Sequence, residues 1–526
     1  MLGFDGLDPD LVSQFMDDGK LPHMQTLARQ GALQRLETTP SADASAWASF
    51  ATGTNPGKHG VFTNDLPAVP RAATFWTVAG QGGVRSSILT VPLTFPPADV
   101  PNGELLAGWP APDLRDTQGT YSYFATDVPQ PEDGTERAGG IRRRLAFDGD
   151  VARSVLAGPR GLTLPMSIFW NRAGKAATIE VNGTSSRLDE GAWSKWIDVD
   201  FSASLFSRQH GMVEFLLVHA GTSLAVYASP IHARADRPHV PFSSPASLSA
   251  DLYERVGAYR TLGWSDQAAA LDANLIDETA FMDDLNRAFD DRAQVILQRI
   301  DARKWDLLVG VIDSIDHAQH MMWRLMRTQK SGDAIEQMYR RADDLVGEVM
   351  KHIDPDTPIL IVSAYGARGS RQTMDLNRWL TEEGLGGKAT ATASGGIILS
   401  PAALGLEDHL IARLTALLDP QTHAPIVASV VKRAAVYSGP YVSNAPDLQV
   451  GMAEGYRLGQ AATVLAPNLR KWSADHGTVA FTLVPGTLIS SRPTTSDSPR
   501  VIDIAPTVLR YFGLPIPTET DGTPLF

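Results

Sequence analysis

Apolar positions along this chain alternate between two periods. Leu11 to Phe15 and Met24 to Arg29 carry helical patterning, and the second run ends at Gly31, a plausible helix stop. Phe281, Leu285, Phe289, Ile296 and Ile300 recur at helical spacing, and the continuous apolar run Leu307–Ile312 follows as a buried strand. Met338, Ala342, Leu345, Val346 and Val349 mark another helix, with a strand at Ile359–Val362 after it. Strand and helix alternating in this way predict an α/β fold whose mostly parallel central sheet is covered by helices on both faces.

From about Leu162 to Pro230 the rhythm changes. Short alternating segments, such as Ala177–Val181 and Glu214–Val218, are separated by Gly and Asn turns and punctuated by Trp170, Trp193, Trp196 and Phe201. Period-2 alternation between turn signals predicts an inserted antiparallel β module, its aromatics read as core. The stretch Asp236–Ser247, rich in Pro and Ser, is expected to lead back to the main fold. The expected organisation is a core in two parts, 1–155 and 246–526, interrupted by a β-rich module at 156–245. Met1–Gly6 reads as the last turn of a buried strand, so a start further upstream stays open.

Composition narrows the function classes. The chain has 526 residues, 43% of them hydrophobic and 20% charged, enough to bury a large core. Its formal net charge of -13 argues against a nucleic-acid platform, which needs clustered Lys and Arg. Arg142-Arg143-Arg144 is the one notable basic run and reads as a solvated face. The absence of cysteine excludes disulfides and thiolate ligands. No apolar run approaches the roughly 20 residues of a membrane span. As given, the chain is expected in the cytoplasm; an upstream start would leave room for a signal peptide. Nothing in the pattern sets an oligomeric state.

In an open parallel sheet, ligands collect beyond the carboxyl ends of the strands. Asp5 ends the first strand, Asp316 and His320 follow Leu307–Ile312, and Ser363-Ala364-Tyr365-Gly366 follows Ile359–Val362. An Asp-x3-His spacing sets a carboxylate and an imidazole on one side of a helical turn. A capping Asp and a packed His would produce the same spacing, so the pair by itself leaves both readings open.

Longer motifs carry a resemblance. Gly3-Phe-Asp5-Gly6, Ala46 through Gly60, Asp316 through Trp323, Asn377-Arg-Trp-Leu380, Trp472-Ser-Ala-Asp-His476 and Ile502 through Leu509 with its tail to Gly522 occur in one order. In that order the chain resembles the alkaline phosphatase superfamily, in its branch of type I phosphodiesterase/nucleotide pyrophosphatase-like proteins, predicted phosphohydrolases or phosphomutases. The resemblance implies two divalent cations, often zinc, bridging a phosphoryl group, with a Ser or Thr nucleophile at the start of a helix.

Carried over residue by residue, the resemblance implies a first cation held by Asp316, His320 and His476, a nitrogen and oxygen set suited to zinc. The second cation would need Asp5, the nucleophile oxygen and an Asp-His pair, but the pair's positions hold Ala364 and Tyr365. Alanine has no donor atom, and a neutral phenol is a poor ligand. The implied nucleophile position, ten residues before Gly53, is Asp43. Asp43 can be read as an N-cap, as a carboxylate ligand or as a nucleophile forming an acyl phosphate. Asn64 stands where related phosphodiesterases place an asparagine that donates to a phosphoryl oxygen; a loop asparagine is the alternative. Lys58 and His59 read as structural, Asp313 as a group behind the ligands, and Asp475 as a residue that orients or caps.

Asp5, Asp316, His320 and His476 survive while one half of the site is substituted. The expected protein is a phosphodiesterase- or phosphohydrolase-like one with a single zinc and a doubtful second site, acting on a phosphorylated small molecule or phosphodiester. The alternative is an inactive relative that binds an anionic ligand or a partner protein.

Overall fold

The structure, a computed structural model, describes the chain except residues 41–43, 64–68, 129–134, 138–139, 205–206, 265–266 and 327–333. Asp43 and Asn64 therefore lie outside the described residues. The chain divides into two compact units, one of residues 1–93, 100–103 and 299–526, the other of 94–99 and 104–298.

The first unit is built on six neighbouring strands of an eight-stranded sheet, β1 (Leu2–Phe4), β2 (Ala32–Leu36), β3 (Ser86–Leu89), β4 (Leu307–Ile312), β5 (Leu360–Ser363) and β6 (Gly486–Ser490), in the order β3-β4-β1-β5-β6-β2. β3, β4, β1 and β5 pair in parallel, Leu2 standing opposite both Gly310 and Ile361. β6 is antiparallel to β5, and β2 is antiparallel to β6, so every strand except β6 runs the same way. β1, β4 and β5 are buried along their whole length, which explains why their sequences are continuous apolar runs rather than alternating ones. The fold is the α/β class with the mostly parallel sheet that the pattern predicts.

Helices cover this sheet where the apolar stripes require it. α1 (Pro9–Asp17) starts on an N-cap, Asp8, whose side chain accepts from Asp10 N and Leu11 N. α2 (Pro22–Gln30) stops at Gly31 as expected. α3 (Ala44–Thr52) is buried on every face, and α4 (Ser314–Met326) is buried through its first nine residues. α5 (Ala334–His352) buries Met338, Ala342, Leu345, Val346 and Val349 and meets α1 edge-on through Tyr339 and Phe15, ring centroids 5.2 Å apart.

The second unit carries an antiparallel meander of five strands, from Phe147–Asp148 to Thr184–Asp189, with two further sheets. Its strand Thr163–Asn171 alternates buried and exposed positions, the period-2 signature of a half-buried strand. Trp170 and Phe201 are core residues, as expected, whereas Trp193 and Trp196 are half-buried and lie under Arg287 and Arg260. The module expected at 156–245 lies inside this unit, which extends further on both sides. Within the stretch Asp236–Ser247, Ser243–Ser244 pairs antiparallel with Leu105–Leu106, and the helix Ser247–Val256 follows. Local Pro and Ser content marks a turn but does not reveal which strand the chain pairs with next. Among the described residues no helix is long and apolar enough to cross a membrane.

Candidate metal and phosphoryl site

The carboxyl ends of β1, β4 and β5 deliver the chemistry. Asp5 leaves β1 with its backbone N–H donating to Ile312 O at 2.9 Å, so the ends of β1 and β4 are tied together. The next residue must let the backbone pass Asp316. Gly6 has φ 71°, and a Cβ there would lie 2.7 Å from the Asp316 Cα, so only glycine fits. Its carbonyl accepts from Gln319 Nε2 at 2.6 Å, which holds α4 against this turn.

Asp316 and His320 stand one turn apart on α4 and face the same way; His320 Nε2 lies 3.2 Å from Asp316 Oδ2. His476 arrives from far along the chain. The segment Arg368–Met374 runs away from the end of β5 and pairs antiparallel with Ala474–Asp475, which sets His476 beside Tyr365. Ser473 N donates to His320 O at 2.6 Å and ties this segment to α4. Trp323, the last residue of the Asp316-to-Trp323 motif, packs on Gly369, where a Cβ would come within 2.4 Å of the indole nitrogen. Asp475 accepts from His476 N at 2.9 Å and from Thr478 Oγ1 at 2.5 Å, fixing the turn that carries the imidazole.

The result is a buried triad. Donor atoms of Asp316, His320 and His476 all lie within 4.8 Å of one another. His320 Nδ1 is 2.8 Å from Ala474 O. A carbonyl only accepts, so Nδ1 carries the proton, and in the neutral ring Nε2 is left as a lone pair. That lone pair faces Asp316 and also His476 Nε2 at 3.2 Å. Asp316 Oδ1, 3.3 Å from His476 Nε2, is buried without a hydrogen-bond donor. Lone pairs converging in a buried space fit a cation, and nitrogen and oxygen donors of this kind fit zinc. Burial pushes the Asp316 carboxyl up; against it, His320 and His476 in their protonated form hold it well below its ordinary value by charge and hydrogen bonding, the part a cation would take when the rings are neutral. Trp472 packs its ring over His320 with centroids 4.1 Å apart.

Asp5 lies outside this triad and is satisfied differently. Its Oδ1 accepts from Trp47 Nε1 at 2.9 Å and its Oδ2 from the Tyr365 hydroxyl at 3.1 Å. Burial, then the charge on Asp316, pushes the Asp5 carboxyl up to about 7; the nearby His476 and the two donated bonds oppose that shift. Tyr365 stacks on His476, centroids 4.0 Å apart and planes 14° apart, and Ala364 beside it is fully buried.

Other residues noted in the sequence fall into place around this centre. Asp313 leads into α4, its carbonyl accepting from His317 N at 3.3 Å. Lys58 Nζ bonds Asp521 at 2.6 Å and the Glu519 carbonyl at 2.8 Å, a tie to the closing tail. His59 is buried, which pushes its pKa down to about 3. Its Nδ1 accepts from Val61 N, so its Nε2 donates to Ser49 Oγ at 2.9 Å and takes no proton from it. Asn377 pairs through both ends of its amide with the backbone of Ala391, which makes that motif structural.

Sequence reasoning did not assign the roles of Trp47, Trp472 and Tyr365, although all three lie inside or beside the quoted motifs. It also missed a buried chain in which Asp8 N donates to Tyr339 OH at 2.9 Å and Tyr339 OH to Gln319 Oε1 at 3.1 Å, with Arg368 clamped on Asp8. Only the fold brings those four residues together.

The chain is similar to phosphonoacetate hydrolase from Sinorhizobium meliloti 1021 crystallised with phosphonoformate, at 14% identity over 96% of this chain and 93% of that one, with a TM-score of 0.48. It is similar to murine ectonucleotide pyrophosphatase / phosphodiesterase 5 at 10% identity over 98% and 95%, with a TM-score of 0.46. Against wild-type alkaline phosphatase PafA the values are 12%, 100%, 98% and 0.42. No curated protein sequence matches the chain. The family described as type I phosphodiesterase / nucleotide pyrophosphatase matches residues 1–138 and 169–477, and the chain belongs to that family.

Proposed function

We propose that this protein is a phosphoric-ester hydrolase-like member of its family with a reduced site that holds one divalent cation, zinc by donor chemistry. The observation that carries this reading is the buried convergence of Asp316, His320 and His476 within 4.8 Å. A divalent cation held there supplies a Lewis acid that polarises a phosphoryl oxygen. The protein's own groups prepare the place. Ala474 fixes the His320 tautomer, and Trp472 packs over that ring. Asp43, at the position the family gives to its nucleophile, is proposed to activate a water, and Asn64 to donate to a phosphoryl oxygen. The ligand class is a phosphorylated small molecule or a phosphodiester.

A second reading is favoured by the other half of the site. Ala364 offers no donor atom, and both Asp5 oxygens already accept from protein groups. On that reading the protein binds an anionic ligand or a partner without turnover.

Two measurements on the purified protein decide between them: zinc equivalents by native mass spectrometry, and release of nitrophenol from nitrophenyl phosphate mono- and diesters. One equivalent with turnover, both lost in His320→Ala, supports the hydrolase. One equivalent without turnover supports the binder. No zinc at all overturns both forms of the cation site.

A further inference from the structure

The family framework implies a second cation at Asp5, and the residues there do not fit one. A cation would need lone pairs turned toward a shared space. Instead Asp5 Oδ1 accepts from Trp47 Nε1 and Oδ2 from the Tyr365 hydroxyl, at 2.9 and 3.1 Å. The Tyr365 ring, 4% exposed, lies flat against His476 at 4.0 Å and 14°. Position 364 is a fully buried alanine.

A buried carboxylate needs a compensating charge or donors. In a two-cation site the metal provides the charge. Here an indole N–H and a phenol O–H are supplied by side chains. We propose that Tyr365 stands in for the second cation: its hydroxyl takes over the satisfaction of Asp5, and its ring fills the vacated volume and braces His476. The bracing follows from geometry, because a ring stacked on an imidazole restricts its rotation and keeps Nε2 turned toward His320 and Asp316. This part rests on the proposed one-cation site; the contact between Tyr365 and Asp5 does not.

Zinc alone is the probe, with native mass spectrometry as the readout and circular dichroism as the check on folding. The parent and Tyr365→Phe are expected to hold one equivalent. Ala364→Asp combined with Tyr365→His restores an acid and an imidazole next to Asp5 and is expected to hold one more than the parent. A folded double variant with no gain, or a parent that already holds two, overturns the proposal. A parent that holds none removes the one-cation reading alone, because the substitution is still judged by the gain of one. Bracing is read separately. Tyr365→Ala is expected to weaken the first zinc about tenfold, as loss of a group behind a ligand does, and Tyr365→Phe to preserve it; equal affinities in these two variants overturn the bracing role.

A buried acid at position 364 can prevent folding, so a metal-free measurement stands beside the first. Tyr365→Phe is expected to lower the thermal midpoint at least twice as much in the parent as in the Asp5→Asn background. Equal shifts in both backgrounds overturn the link between Tyr365 and Asp5.

Discussion

Two buried polar clusters, one in each unit, solve the same problem in opposite ways. In the second unit Arg260 is buried against Glu214 at 3.0 Å, Asp284 at 2.8 Å and Asp291 at 2.7 Å. Arg287 adds a second guanidinium to Glu214 and Asp284. Every one of these three acids meets a guanidinium. In the first unit, among the described residues, Asp316 forms ion pairs only with imidazoles, and Asp5 accepts from an indole N–H and a phenol. The Arg260 cluster pairs its acids with permanent charges. The Asp316 cluster pairs its acid with imidazoles and leaves one buried oxygen without a hydrogen-bond donor, where the proposed cation would join it. Burial of charge alone does not identify a site; the missing counter-charge does.

The largest test of this contrast is to break the Arg260 cluster. Arg260→Leu leaves buried Glu214 and Asp284 and half-buried Asp291 with one guanidinium fewer, and it should cost about 3–5 kcal/mol in denaturant unfolding of the second unit. A loss below about 1 kcal/mol would mean the cluster is solvated and the comparison fails.

The next effect is electrostatic. Three acids face two guanidiniums, and a proton supplies the difference: burial raises Glu214 from 4.5 to about 7, with Asp284 and Asp291 adding to the rise and Arg260 and Arg287 opposing it. Between those two values the folded protein keeps a proton that the unfolded chain has released. Stability should therefore fall as pH rises from 4.5 to about 7, by on the order of 3 kcal/mol from this group. Unfolding midpoints measured across that range should lose part of their slope in Glu214→Gln, with Asp5, raised over the same range, supplying another part.

The Asp316 cluster should respond to what the Arg260 cluster ignores. Zinc at a hundred times its dissociation constant should stabilise the protein by about 2.7 kcal/mol, an effect that Asp316→Ala or His320→Ala abolishes and Arg260→Leu leaves in place. Thermal midpoints with zinc and with chelator measure this. The smallest expected change is in Asp475→Ala, which frees the His476 backbone and should weaken zinc about tenfold without changing its stoichiometry.

Much of this was legible beforehand, for reasons that can be located. β4 and β5 are continuous apolar runs because both of their faces are buried, and α5 shows a clean stripe because one of its faces is. Asp316 and His320 were legible as a pair because helical spacing alone makes them neighbours. His476 was legible only through its motif, since 156 residues separate it from His320. The Arg260 cluster was not legible: Asp284 and Asp291 share the helix Glu278–Ala302, but Glu214 and Arg260 lie outside it, and no local period connects them to its acids.

The sequence by itself determined the α/β class, the parallel order implied by alternating strands and helices, and the identity of the groups beyond the strand ends. These follow from local periodicity and from the chemistry of single residues. Tertiary structure decided what those groups do to one another. It turned Tyr365 from a mere substitution into a donor on Asp5 and a plate against His476. It left Asp316 with an oxygen lacking a donor, and it gave Arg260 its three acids. Hydrogen bonds and charge balance depend on distances of a few ångströms between residues hundreds of positions apart, and only packing sets those distances.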